Sequence, residues 1–178
     1  MKQLQYDTVL TPIGRKFLVV DSDAGDAICA LYWIENGEPG ELSRVLRRRY
    51  GDYTLTQTDN PAGHSDAIRA YFAGDLHAID SLPVSTGGTE FQRDVWLGLR
   101  GIPAGEVLTY GELAARLGRP TASRAVGMAC GDNPIGLVLP CHRVVGSTGS
   151  LTGFGGGLHR KKWLLEHERA NLARLTRH

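Results

Sequence analysis

The chain is short of cysteine and has no long apolar run, and each shortage closes off a class of protein. Its three cysteines, Cys29, Cys130 and Cys141, cannot all pair with one another, and none lies in a CxxC unit. Neither a disulfide framework nor a zinc ribbon is indicated, and reduced thiols are expected. No stretch approaches the roughly 20 apolar residues that span a bilayer, and Met1-Lys2-Gln3-Leu4-Gln5 is not followed by a signal-type apolar block. The expectation is a soluble, cytoplasmic protein with no membrane partner. The 178 residues, 42% hydrophobic and 22% charged, are the composition of a globular chain rather than a disordered one. That length suits one large domain or two small ones, and no internal repeat is evident.

Charge is spread unevenly. From Thr89 onward there are 12 Lys and Arg against 7 Asp and Glu, which leaves 8 against 12 before it. A basic half fits a polyanionic partner, and it also fits ordinary surface variation, so motifs must decide.

The first forty residues carry β-like runs at Leu4–Leu10, Lys16–Asp21 and Ala27–Ile34, separated by turn residues, and predict an antiparallel meander. A helix through Leu42, Val45 and Leu46 follows, its Arg47-Arg48-Arg49 run forming a solvated face. A short β run comes next at Tyr53–Thr58, then a helix at Ser65–Phe72. Gly74 to Gly88 has loop composition and reads as a linker. Beyond it Thr89 with Gln92, and Thr109 with Glu112, fit capping boxes that open helices. The second of these should stop at Gly118-Arg119-Pro120, and a third should run from Thr121 to about Cys130, giving a helix-turn-helix unit. That third helix is built from small residues, Ala122, Ser123, Ala125, Gly127 and Ala129, around the long cation Arg124. Such a surface suits either a close helix crossing or a face laid against a duplex.

The apolar run Pro134–Leu139 delivers Cys141 beside His142 and Arg143, ahead of the glycine-rich segment Gly149–Gly157. A cysteine after an apolar run is often a packed core thiol. The neighbouring imidazole and guanidinium favour a reactive one, since a thiolate needs a polarising setting. A phosphatase loop would place arginine where Ser147 stands, paired zinc-ligand spacing is lacking, and the glycines do not follow the order of a Walker loop.

Pro140-Cys141-His142-Arg143, Arg124-Ala125-Val126-Gly127, Asn133-Pro134 and the stretch from Thr152-Gly153-Phe154 to Trp163–Glu168 closely resemble the O6-alkylguanine-DNA alkyltransferases, most of all the Ogt-type bacterial members. The likeness covers most of the chain and extends to Asn60-Pro61, Tyr71–Gly74 and Thr86–Thr89. It implies an α/β plus α architecture: an amino-terminal antiparallel-sheet, ribonuclease-H-like domain over 1–82, and a helical, winged-helix-like alkyltransferase domain over 83–178. The activity implied is irreversible transfer of the alkyl group of O6-alkylguanine, and of O4-alkylthymine, to the protein's own cysteine. The partner is alkylated double-stranded DNA in the nucleoid, the protein acts as a monomer, and neither cofactor nor metal is called for.

By the same resemblance Cys141 is a single-use nucleophile, His142 is its base through a water, and Glu168 orients the imidazole. An ordinary thiol is only about 3% thiolate at neutral pH, so full ionisation gains about thirtyfold and positioning must supply the rest. Tyr110 donates to the leaving purine, and Asn133 organises the join between the DNA-binding helix and the nucleophile. Arg124 replaces the extruded base in the stack, with Thr121, Ala125 and Gly127 against the DNA. Val144 offers a backbone carbonyl to the exocyclic amine, while Phe154 and Gly155 form a pocket wall. Phe154 departs from the tyrosine of many relatives, and Gly155 with Gly156 implies room for alkyl groups larger than methyl. Two other readings stay open on the residues alone: a damaged-DNA binder that performs no transfer, and a cysteine hydrolase unrelated to DNA.

Overall fold

The computed structural model describes residues 1–35, 39–152 and 156–175. The chain divides into two compact units, Met1–Gly87 and Gly88–His178.

In the first unit β1 (Lys2–Thr11) and β2 (Gly14–Asp21) form an antiparallel hairpin, and β3 (Ala27–Ile34) lies antiparallel on the outer side of β2. Helix α1 (Gly40–Tyr50) then carries the chain over the sheet, so that β4 (Tyr53–Gln57) pairs parallel with β1 and the order is β3-β2-β1-β4. The meander therefore accounts for three strands. The fourth runs parallel because a helical crossover, unlike a hairpin, returns the chain in its original direction. Leu42 and Leu46 of α1 close over Leu4, Phe17, Val19 and Cys29. Helix α2 (His64–Phe72) packs on β1, with Ile68 and Tyr71 buried.

The stretch read as a linker is pinned down. Leu76 and Ile79 are buried. Val84 bridges to Ile28, with Ile28 N donating to Pro83 O at 2.8 Å and Ser85 N to Ile28 O at 2.9 Å. The Arg49 guanidinium holds the carbonyl and hydroxyl of Ser85. Residues 83–87 thus belong to the first unit rather than the second, because a few apolar and strand-like contacts outweigh a loop-like composition.

The second unit opens with α3 (Glu90–Leu99), capped reciprocally: Gln92 N donates to Thr89 Oγ1 at 3.1 Å and Thr89 N to Gln92 Oε1 at 3.0 Å. Such caps stabilise a helix by about 1 kcal/mol. After β5 (Leu108–Thr109), the Thr109 hydroxyl accepts from Glu112 N at 3.1 Å and starts α4 (Tyr110–Arg116). Gly118 at φ +73° ends it, with Arg119 N donating back to Ala114 O and Gly118 N to Ala115 O, the hydrogen-bond pair of a Schellman stop. Helix α5 (Ser123–Gly131) begins two residues later than expected, so the turn spans 117–122 and Thr121 lies in it. Val126, Ala129 and Cys130 face inward, and Trp96 Nε1 of α3 donates to Ala129 O at 2.7 Å. β6 (Val144–Val145) pairs parallel with β5, and α6 (Leu158–Leu175) closes the unit. Among the described residues no helix is long and apolar enough to cross a membrane.

Candidate active site

The site is assembled by the chain between α5 and β6. Asn133 follows α5 directly and uses both ends of its amide: Oδ1 accepts from Ile135 N at 2.9 Å, and Nδ2 donates to Leu139 O at 2.8 Å. The same Leu139 carbonyl accepts from Cys141 N at 2.8 Å, so one oxygen ties the end of the helix-turn-helix to Cys141. The loop between is buried and holds Leu137 at φ +82°, a conformation that costs a bulky residue about 1–3 kcal/mol and persists only where the surroundings over-determine it.

Cys141, His142 and Arg143 occupy one turn of 3-10 helix, and all three are buried. From this turn the imidazole of His142 and the guanidinium of Arg143 both reach α6. That helix presents Lys161, Leu164, Leu165 and Glu168 inward, a face with helical period. Glu168, fully buried, accepts from His142 Nε2 at 2.7 Å and from Arg143 Nη2 at 2.8 Å on Oε1. Arg143 Nε lies within 3.2 Å of both carboxylate oxygens, its Nη1 donates to Ile102 O at 2.7 Å, and Gly105 N donates to Glu168 Oε2 at 3.2 Å.

Burial alone would raise the Glu168 pKa. The charge and hydrogen bond of His142, followed by those of Arg143, overcome it and hold the carboxyl far below the usual range. An acid so held accepts hydrogen bonds and does not take up the proton. With the ionised carboxylate accepting, Nε2 carries its hydrogen, and in the neutral imidazole Nδ1 is then the acceptor.

A cleft of about 590 Å³ is lined by Tyr110 and Gly111 of α4, Arg124, Gly127 and Met128 of α5, and Ser147 and Thr152; Cys141 is not among these lining residues but lies close enough to Tyr110 to act on it electrostatically. The cleft's volume is ample for a planar base. Gly127 lies against Tyr110: a Cβ there would stand 3.7 Å from the ring, in van der Waals contact, and glycine leaves that space unfilled. Tyr110 donates its hydroxyl to Thr152 O at 3.1 Å. Burial raises its pKa, and the charges of Cys130 and Cys141 add to the rise.

The structure thus brings His142 and Glu168 into contact on the turn that carries Cys141, connects Asn133 to that turn, and places Tyr110, Arg124 and Gly127 together in the cleft. Thr121 and Ala125 are exposed but lie outside its lining. Val144 offers its carbonyl to Lys161 Nζ, at 2.6 Å, where the sequence reading reserved it for substrate. A carbonyl has a second lone pair, so the two uses are compatible. Phe154 and Gly155 lie outside the described residues.

The sequence reading set Arg143 beside the thiol but missed its partner, and it missed the buried cation Lys161 altogether. Arg143 braces Glu168, and Lys161, fully buried, donates to Val144 O and to Thr152 O at 3.0 Å. Burial lowers the Lys161 pKa, and the nearby Cys141 and Cys130 oppose that shift. Lys161 lies seven residues before Glu168, two helical turns, and that spacing was the signal available for it.

Residues 90–170 match the family model described as 6-O-methylguanine DNA methyltransferase, DNA binding domain. The Methylated-DNA--protein-cysteine methyltransferase of Salmonella typhimurium is 47% identical over 168 residues, 94% of this chain and 97% of that one. The crystal structure of Mycobacterium tuberculosis O6-methylguanine methyltransferase superposes with a TM-score of 0.77 at 37% identity, covering 94% of each chain. A structure of the same organism's protein in complex with DNA gives 0.75 at 37%, again over 94% of each chain. With nearly its whole length matched at such identity, and with the Cys141-His142 turn and its buried carboxylate in place, this chain belongs to the methylated-DNA--protein-cysteine methyltransferase family.

Proposed function

We propose that this protein repairs alkylated DNA directly, taking the alkyl group from O6 of guanine onto Cys141 Sγ once per molecule. The observation that supports the reading is the buried His142–Glu168–Arg143 cluster, in which His142 and Arg143 share the turn of Cys141 and Glu168 reaches them from α6, in the same unit as a base-sized cleft. His142 Nδ1, through a water, draws the proton from the thiol. The sulfur attacks the alkyl carbon, a C–S bond forms as the C–O6 bond breaks, and the electron pair passes into the purine. Tyr110 leaves Thr152 and donates to the ring nitrogen as that charge develops, so the thiol proton ends, in net terms, on guanine.

Extrusion of the base costs a few kcal/mol. Arg124, exposed on α5, lowers that cost by filling the vacated place in the stack, and small side chains around it let the helix approach a minor groove. Asn133 keeps the nucleophile turn in register with that helix. O4-alkylthymine presents a similar oxygen and is a second substrate, and the working place of the protein is the nucleoid of the cytoplasm.

The test is mass spectrometry after incubation with a duplex carrying one O6-methylguanine. One methyl mass on the Cys141 peptide, at one per protein and absent from Cys141→Ala, supports the reading. Retained binding with an unmodified Cys141 in the wild type overturns it and leaves a damage-binding module.

A further inference from the structure

Helix α5 gives the cleft two long side chains, and the sequence reading counted only one. Arg124 and Met128 stand four residues apart, both exposed and both lining the cleft, with Gly127 bare between them and the Tyr110 ring. Four residues is one turn, so their Cα atoms are separated by about 6 Å along the axis, less than two base-pair steps of about 3.4 Å. Met128 is 69% exposed. Scattered exposed apolar residues are ordinary, but this one stands on the face otherwise kept smooth for close approach, next to the arginine that enters the stack.

We infer that Met128 is a second gripping residue, an apolar wedge against the minor-groove wall and the base pair beside the lesion; the inference rests on the reading of this cleft as the seat of an everted base. The chemistry fits. A thioether chain is unbranched and carries no strongly hydrated atom, so it moulds to an irregular apolar surface such as the deoxyribose edge. Side chains of this kind part base steps in other minor-groove proteins. A wedge one turn from Arg124 loosens stacking where the base must leave, while Arg124 keeps the gap from closing. Unlike a phosphate contact, it adds grip without displacing counterions.

The experiment compares wild type, Met128→Ala and Met128→Leu on two substrates, a duplex and a single-stranded trinucleotide, each with one O6-methylguanine. The trinucleotide has neither groove nor stack. Alanine is a better helix former than methionine and the site is exposed, so folding is not at issue. For Met128→Ala the ratio of duplex to trinucleotide rate at subsaturating DNA falls about five- to tenfold, duplex affinity falls with it, the salt dependence of binding keeps its slope, and Met128→Leu restores both. A ratio that stays within twofold of wild type, or a slope that changes by a full phosphate contact, overturns the inference. Wild-type protein that leaves both substrates methylated overturns the alkyl-transfer reading itself.

Discussion

His142 Nε2 lies 2.7 Å from Glu168 Oε1, and both side chains are completely shielded from solvent. The pair is not isolated, because Arg143 shares the same carboxylate. Replacing Glu168 with Gln keeps the shape and removes the charge, which strands the Arg143 guanidinium and releases the imidazole tautomer. Glu168→Gln should lose about 3–5 kcal/mol of stability, the usual penalty for breaking a buried pair, and about 10²-fold or more in transfer rate. Urea unfolding and single-turnover kinetics at a temperature where both proteins are folded measure the two effects separately.

The same carboxylate sets the response to acid. Its folded pKa lies far below the value of about 4.3 for an unfolded glutamate. The unfolded chain therefore takes up the proton first, and the stability contributed by Glu168 is complete above about pH 4.3 and lost progressively as pH falls below it. Urea midpoints measured between about pH 3 and pH 6 should drop steeply at the acid end for the wild type, and less so for Glu168→Gln.

Gly105 sits at φ +86°, and a Cβ built there would meet Leu172 Cδ1 at 2.0 Å. Its amide is also a donor to Glu168 Oε2. Gly105→Ala should cost about 1–2 kcal/mol from the left-handed backbone alone and slow transfer by disturbing the carboxylate. In the double variant with Leu172→Ala the steric part should be recovered and the backbone part retained, a partial rescue that thermal unfolding of the three variants would reveal.

Asn133 spans the gap between α5 and the Cys141 turn with two hydrogen bonds. Asn133→Ala leaves Leu139 O and Ile135 N without these partners and should destabilise by about 1–3 kcal/mol. Transfer from a duplex should slow as the Cys141 turn loses register with α5. Asn133→Asp, which keeps the acceptor and loses the donor to Leu139, should not restore the rate.

Burial pushes the Cys130 thiol up to about 12 and the Cys29 thiol up to about 11. Both should stay protonated and unmodified when folded protein meets lesion DNA or, briefly, iodoacetamide at neutral pH. Peptide mapping should find the adduct on Cys141 alone, and on all three cysteines after denaturation in urea.

Local signals in the sequence were strong enough to locate most elements. Thr89 with Gln92 and Gly118 mark helix ends through interactions that span five residues or fewer. What stayed hidden was non-local. The parallel pairing of β4 depends on where a helix carries the chain, the burial of Leu76 and Ile79 on a surface made by distant residues, and the role of Arg143 on a carboxylate 25 residues away. Met128 was passed over because a single long residue in a run of small ones reads as filler until its face is known.

The two-rung ladder Leu108↔Val144 and Thr109↔Val145 aligns the start of α4 with the end of the Cys141 turn. Sliding a strand by one position moves it about 3.3 Å, which is the whole separation at which two reacting atoms are poised for attack. The tolerance of the chemistry is therefore a single residue of slippage between two very short strands, and insertions or deletions between Asn133 and Val145 should abolish repair even where every reacting side chain is kept.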